Sequence, residues 1–104
     1  MAIRTQLLLD AVTSPTVSGA KAPRAAKRTF QATGATSAGA GAATVNVQAS
    51  NDGVNWILIA TISLVLSTTS ATDGLASDAP WRYVRADLSA LSGTDATVTV
   101  TMGD

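Results

Sequence analysis

Residues 44–66 read TVNVQASNDGVNWILIATISLVL, and their pattern indicates two β-strands joined by a turn. Polar and apolar residues alternate over the first six positions, which places three apolar side chains on one face of a half-buried strand: Val45, Val47 and Ala49. Asp52-Gly53 is a turn signal, because glycine accepts a positive φ and an aspartate side chain can bond to the nearby backbone. We therefore predict a β-hairpin whose second strand covers residues 56–66.

The second strand of this hairpin is apolar on both faces. Every even-numbered position from Trp56 to Leu66 is apolar, and Ile57, Ile59 and Val65 lie on the opposite face. Apolarity on two sides is typical of a central strand that is covered on both faces, and it also fits a strand with one face buried in an assembly. The sequence supports both interpretations.

The rest of the chain predicts more strands around this hairpin. Turn-forming residues recur at intervals of about ten residues, which is typical of β-sandwiches and barrels rather than of helices. The further strand candidates are residues 3–12, 28–33, 81–88 and 96–102. We expect an all-β fold, a small antiparallel β-sandwich of jelly-roll-like type with about six or seven strands.

The connections between these strands differ in composition. Residues 34–43 are almost wholly Gly, Ala, Ser and Thr, which predicts a flexible connection, and residues 67–80 predict a polar crossing between sheets. We expect residues 1–104 to form a single β-sandwich domain, in which residues 13–43 are a loop-rich, partly arm-like part of a flexible N-terminal region.

The composition favours a protein that packs against other proteins. Apolar residues make up 46% of the chain but aromatic residues only 4%, so the core must consist mainly of Val, Ile, Leu and Ala. Charged residues are 13%, against roughly 25% in ordinary soluble domains. The net charge of zero gives no general attraction to nucleic acid or to an anionic membrane, so we expect neither as a partner.

The side chains on which most enzymes depend are missing from the sequence. The chain has no His, no Cys and no Glu, which removes the usual general base, the thiolate nucleophile and common metal ligands. The aspartates are spread singly and several lie beside turn glycines, where turn formation explains them. We expect a non-enzymatic protein with no cofactor and no bound metal.

Two sets of residues are candidates for contacts with a partner. The first is a basic segment in which Pro23 disfavours a regular central strand: Lys21, Arg24, Lys27 and Arg28. The second comprises the aromatic residues near turns and a neighbouring arginine: Trp56, Trp81, Tyr83 and Arg85. The aromatic residues either anchor the hairpin and a subunit contact, or form an exposed coplanar platform for sugar rings.

Two motifs resemble those of a recurrent small phage-encoded β-sandwich. They are Ser50-Asn51-Asp52-Gly53-Val54-Asn55-Trp56 and Ala79-Pro80-Trp81-Arg82-Tyr83-Val84-Arg85, followed by the closing stretch 93–103, so the resemblance covers roughly residues 44–103. The first motif is also similar to a sialidase Asp-box, but its interval from Ser to Trp is one residue short.

The resemblance implies a capsid decoration or cement protein. Such a protein binds the major capsid protein on the outside of the head, is assembled in the host cytoplasm, and forms a homo-oligomer, a dimer or trimer. The two sets of candidate residues would then be contacts with capsid or sister subunits. The alternative is a carbohydrate- or receptor-binding module of a phage tail or of a secreted protein.

Overall fold

A computed structural model describes residues 5–21, 28–77 and 81–103. These residues form eight β-strands: β1 (Thr5–Val12), β2 (Thr16–Val17), β3 (Arg28–Ala35), β4 (Ala38–Ser50), β5 (Ile57–Leu66), β6 (Ala71–Ser77), β7 (Tyr83–Thr94) and β8 (Thr97–Gly103). The all-β class expected from the sequence is confirmed. A search of the described residues for a helix able to cross a membrane finds none.

The strands make two antiparallel sheets of four strands each, which pack together as a sandwich. Sheet A has the order β1-β8-β3-β6, and sheet B has the order β2-β7-β4-β5. The pairing is nested along the chain: β4 pairs with β5, β3 with β6, β2 with β7, and β1 with β8. This nested pairing places β1 beside β8 and the two middle strands, β4 and β5, beside each other.

The core lies between the two sheets and follows the period of two in the sequence. In β4 the residues Val45, Val47 and Ala49 are buried, as the alternation predicted. Alternate residues in the first half of β7 and along β8 are buried as well, namely Val84, Ala86, Leu88, Val98, Val100 and Met102. Phe30 of β3 is the largest fully buried side chain, so aliphatic residues supply most of the core.

The hairpin between β4 and β5 is confirmed, but β5 is not a central strand. Gly53 has a φ of 74°, as the turn assignment required, and the loop spans residues 51–56 rather than a two-residue turn. Among the described residues, β5 lies at the edge of sheet B, with β4 as its one neighbour in that sheet. Its outward-facing residues Thr61, Ser63 and Val65 are exposed. The interpretation of β5 as a strand covered on both sides was therefore wrong.

The expectation of a flexible connection over residues 34–43 was also wrong. Most of this segment belongs to the end of β3 and the start of β4, which pair with β8, β7 and β5. Its small residues allow backbones to approach closely: a Cβ on Gly41 would overlap the carbonyl oxygen of Ser92 and lie 3.1 Å from the Cα of Gly93. Glycine is here a packing residue rather than a sign of a linker.

Two strands were absent from the sequence prediction. β2, with two residues, lies in the segment 13–43 that was expected to be rich in loops, and β6 lies in the expected polar connection. β6 pairs with β3 over seven residue pairs, including Phe30 with Leu75. Residues 22–27, from the expected arm, lie outside the described residues.

Candidate functional site

The loop between β4 and β5 is held by the side chain of Asp52. Its Oδ1 accepts hydrogen bonds from the backbone N–H groups of Val54 and Asn55, each at 2.9 Å, and from Ser50 Oγ at 2.8 Å. Its Oδ2 accepts one from Asn55 Nδ2 at 2.9 Å. Ser50 Oγ in turn accepts from the N–H groups of Asp52 and Gly53. Both carboxylate oxygens thus bond within the loop, which agrees with turn formation as the role of this residue.

This hydrogen bonding also sets the charge state of Asp52. Donation from the N–H of Asn55, then from Val54, and then from the Asn55 and Ser50 side chains holds the pKa of the Asp52 carboxyl well below its usual range. The carboxyl is therefore ionised at neutral pH. The loop it organises delivers Trp56 to the outer face of sheet B.

Trp56 and Arg85 are brought together on that outer face. The guanidinium carbon of Arg85 lies 4.3 Å from the centroid of the Trp56 ring, within the range of a cation–π contact. Arg85 Nε also donates a 2.6 Å hydrogen bond to Gln48 Oε1, from the residue paired with it on β4. The arginine is therefore held over one face of the indole, while both Trp56 and Arg85 remain half-buried.

Tyr83 extends this cluster toward the loop. A Cβ on Gly53 would lie 3.7 Å from two ring carbons of Tyr83, so the turn packs against the phenol ring. The exposed Arg82 also contacts Tyr83, with its guanidinium carbon 5.4 Å from the centroid of the phenol ring. We call Gln48, Trp56, Tyr83 and Arg85 the aromatic patch.

Trp81 does not belong to the aromatic patch. It was grouped from the sequence with Trp56, Tyr83 and Arg85 as a candidate for contacts with a partner, but the indole of Trp81 packs against the core cluster. Trp81 precedes β7, so the alternation along that strand does not extend to it. The two tryptophans therefore do not form one shared platform.

The basic residues divide into three cases. Lys21 is half-buried and its backbone pairs with Val84, with hydrogen bonds in both directions, so it lies beside the start of β7. Arg28 is only 4% exposed and its Nη1 donates a 3.2 Å hydrogen bond to the carbonyl oxygen of Trp81. Arg28 is thus an internal residue linking β3 to the segment before β7, and it is not on the candidate surface. Arg24 and Lys27 lie outside the described residues.

The sequence prediction missed two features of this surface. Gln48 was not among the predicted contact residues, since its contact with Arg85 depends on the register between β4 and β7. Large apolar side chains near the patch in the loop and at the start of β5 are also exposed, Val54 at 77% and Leu58 at 58%, and Val65 near the other end of β5 is 83% exposed. The surface combines a fixed arginine–indole stack with uncovered apolar groups, which is the chemistry of a contact surface.

The described residues contain no cluster of side chains that could hold a metal ion. No group of three or more Asp side chains is close enough to hold an ion within residues 5–21, 28–77 and 81–103. Within the same ranges, every buried side-chain nitrogen or oxygen has a hydrogen-bond partner. Packing and hydrogen bonding within the chain thus account for these buried groups.

The protein is a two-sheet antiparallel β-sandwich in which a half-buried aromatic cluster lies beside exposed apolar side chains. No protein family model matches the sequence, and no curated protein matches it. Among solved structures, the chain is similar to the crystal structure of PBSX exported protein XepA, with a TM-score of 0.55 and 9% sequence identity. The match covers 96% of this chain and 36% of XepA, so the chain spans about a third of that protein's length. At this identity the likeness shows the fold.

Proposed function

We propose that this chain is a non-catalytic structural protein of a phage particle, a capsid decoration or cement protein that binds major capsid subunits on the outside of the head. The observation that supports this most is the aromatic patch beside the exposed apolar residues of β5 and its loop. Aromatic and arginine side chains dominate the binding energy of protein interfaces. A stack already fixed by Gln48 loses little side-chain freedom when a partner covers it.

The fold comparison supports the phage part of this proposal. XepA is a phage-derived protein, and about a third of it has a fold similar to that of almost the whole present chain. Nested eight-stranded sandwiches recur in viral capsid proteins and also in lectins. The resemblance of the Asp52 and Trp81 motifs to small phage β-sandwiches points in the same direction.

The basic segment supplies a second contact in this proposal. Lys21 is half-buried at the edge of sheet B, and Arg24 and Lys27 follow it in the sequence. An acidic strip on the capsid or on a sister subunit would complement these three residues. Arg28 is left out of this proposed contact with the capsid, because its side chain is buried within this chain.

Co-sedimentation with capsids tests the proposal directly. Heads of the phage that encodes the chain, prepared without it, are mixed with purified protein and separated on a density gradient. We expect wild-type protein to migrate with the heads and to raise their resistance to heat. Trp56→Ala and Arg85→Ala should weaken this binding, whereas Leu7→Ala, at a 47% exposed residue of sheet A, should not.

Two results would overturn the proposal. One is wild-type protein that stays at the top of the gradient at every concentration. The other is equal binding by Trp56→Ala and Leu7→Ala, which would place the contact elsewhere. If heads are not bound, a glycan panel followed by Trp fluorescence tests the sugar-binding alternative. In that case Trp56→Ala should abolish the response, although Arg85 already covers one face of the indole.

A further inference from the structure

The free edge of β5 differs from the other sheet edges that the structure describes. β1 contains the exposed Asp10 and two register shifts in its pairing with β8. β2 has only two residues, and β6 contains the exposed Asp73. Short length, charge and bulges are the features by which proteins prevent sheet edges from pairing with other chains. β1, β2 and β6 each show at least one of these features.

β5 shows much less protection. It runs for ten residues, Ile57–Leu66, and the sequence contains no charged residue between Asp52 and Asp73. Its one irregularity, a register shift against Val47 and Gln48, lies near its beginning and leaves Ala60–Leu66 in regular register with β4. A regular, uncharged and apolar edge is a template for another strand.

We propose that β5 pairs antiparallel with β5 of a second copy of this chain, across a two-fold axis near Ser63. An uncharged edge meets an identical edge without repulsion, and antiparallel pairing about a two-fold axis is self-complementary. Ser63 is the centre of the regular stretch. Pairing there joins two four-stranded sheets into one eight-stranded sheet and closes the assembly as a dimer.

The faces of β5 are consistent with this register. Thr61, Ser63 and Val65 are exposed on the outer face, and Ile62, Leu64 and Leu66 are buried on the inner face. With Ser63 opposite Ser63 of the second copy, Thr61 faces Val65 of that copy, and inner residues face inner residues. Cross-strand pairs of β-branched side chains stabilise sheets. The exposed Val65, at 83%, therefore becomes covered.

This inference goes beyond the proposed function, because it concerns two copies of this chain and requires no capsid. Analytical ultracentrifugation of the full chain over a range of concentrations tests it. We expect a monomer–dimer equilibrium for wild type and for Leu7→Lys, which adds a charge to the edge strand of sheet A. Val65→Lys should be monomeric at concentrations where wild type is dimeric, because two added charges would lie close to the pairing axis.

Cysteine cross-linking checks the register independently. The chain has no cysteine, so Ser63→Cys introduces a single thiol, and directly opposed residues of an antiparallel pair lie about 4.5–5.5 Å apart at Cα, within disulfide range. Mild oxidation should yield a disulfide-linked dimer of Ser63→Cys, whereas Thr72→Cys, on the edge strand β6, should stay largely monomeric.

Several outcomes would overturn this inference. They are a wild-type protein that is monomeric at all concentrations, a Val65→Lys variant that still dimerises, and open polymers in place of dimers. Equal cross-linking of the two cysteine variants would contradict the register. Capsid binding by a monomeric Val65→Lys variant would leave the proposed function intact, so the two ideas fail separately.

Discussion

Replacing Gly41 with alanine should destabilise the protein strongly, although alanine already fills the neighbouring positions 40, 42 and 43. A Cβ on Gly41 would overlap the backbone carbonyl oxygen of Ser92. It would also lie 3.0 Å from Thr36 Cγ2 and 3.1 Å from Gly93 Cα. The carbonyl belongs to β7, so relief of the overlap requires β4 and β7 to separate locally.

The expected magnitude follows from two opposing effects. Adding a methyl group to a close-packed site costs typically 1–3 kcal/mol, and a backbone obstacle places Gly41→Ala near the upper end, about 3 kcal/mol. Replacing glycine by alanine also restricts the unfolded chain, which returns about 0.4–1 kcal/mol. The net loss is about 2 kcal/mol, which corresponds to a Tm roughly 8–16 °C below that of wild type in a domain of this size.

Gly19→Ala is the matched control for this measurement. Gly19 has no atom within 4 Å of an added Cβ and does not have a positive φ. Thermal unfolding followed by circular dichroism should therefore show an unchanged or slightly raised Tm for Gly19→Ala. A Tm for Gly41→Ala equal to that of wild type would refute the close approach of β4 and β7, and with it the reinterpretation of residues 34–43 as strand.

Three further predictions concern the hairpin loop and the buried arginine. Gly53→Val should cost about 2 kcal/mol in urea unfolding, because a β-branched residue resists the φ of 74°, and an unchanged midpoint would contradict the turn assignment. The pKa of Asp52 is lowered in the folded state, so its stabilising effect is complete above the unfolded-state pKa of about 4 and declines as the pH falls below that value. Wild type should accordingly have a higher free energy of unfolding than Asp52→Asn at pH 7, and urea unfolding should show this difference becoming smaller toward pH 2. A difference that stays constant with pH would show that the loop does not depend on the ionised carboxylate. Arg28→Met keeps the apolar stem but loses the bond to the Trp81 carbonyl, which should cost about 2 kcal/mol in urea unfolding, and equal stability would show that this bond does not tie the sheets together.

Local pattern in the sequence was sufficient for the central strands. Alternation over residues 44–49 identified the buried face of β4, and the same alternation over residues 84–88 and 98–102 matches the buried faces of β7 and β8, because a strand with one face in the core repeats every two residues. The Asp52-Gly53 turn was predictable for a similar reason. Its hydrogen bonds join residues within three positions of one another.

The features that the sequence did not predict depend on contacts between distant residues. Residues 34–43 have the composition of a linker, and the packing role of Gly41 appears only when β7 lies against it. Arg28 has the charge of a surface residue, yet its partner is a carbonyl 53 positions away. Likewise, nothing within β5 shows that β4 is its single neighbour in the sheet.

The aromatic patch was predictable only in part. Trp56, Tyr83 and Arg85 were recognised as contact candidates by residue type, and the structure places them together. Their grouping depends on the register that sets Gln48 opposite Arg85, and a shift of one residue would turn the arginine to the other face of the sheet. Trp81 shares the residue type of Trp56 but packs against the core.

The position of β8 has a consequence for synthesis on the ribosome. β8 is the eighth strand in chain order, but it lies between β1 and β3 in sheet A. Until residues 97–103 emerge, β1 has no partner in sheet A and one edge of β3 stays open. During synthesis, the unpaired edges of β1 and β3 are therefore exposed to pairing with other polypeptides. Emergence of residues 97–103, rather than the growth of the first half of the chain, is the step at which the sandwich can close.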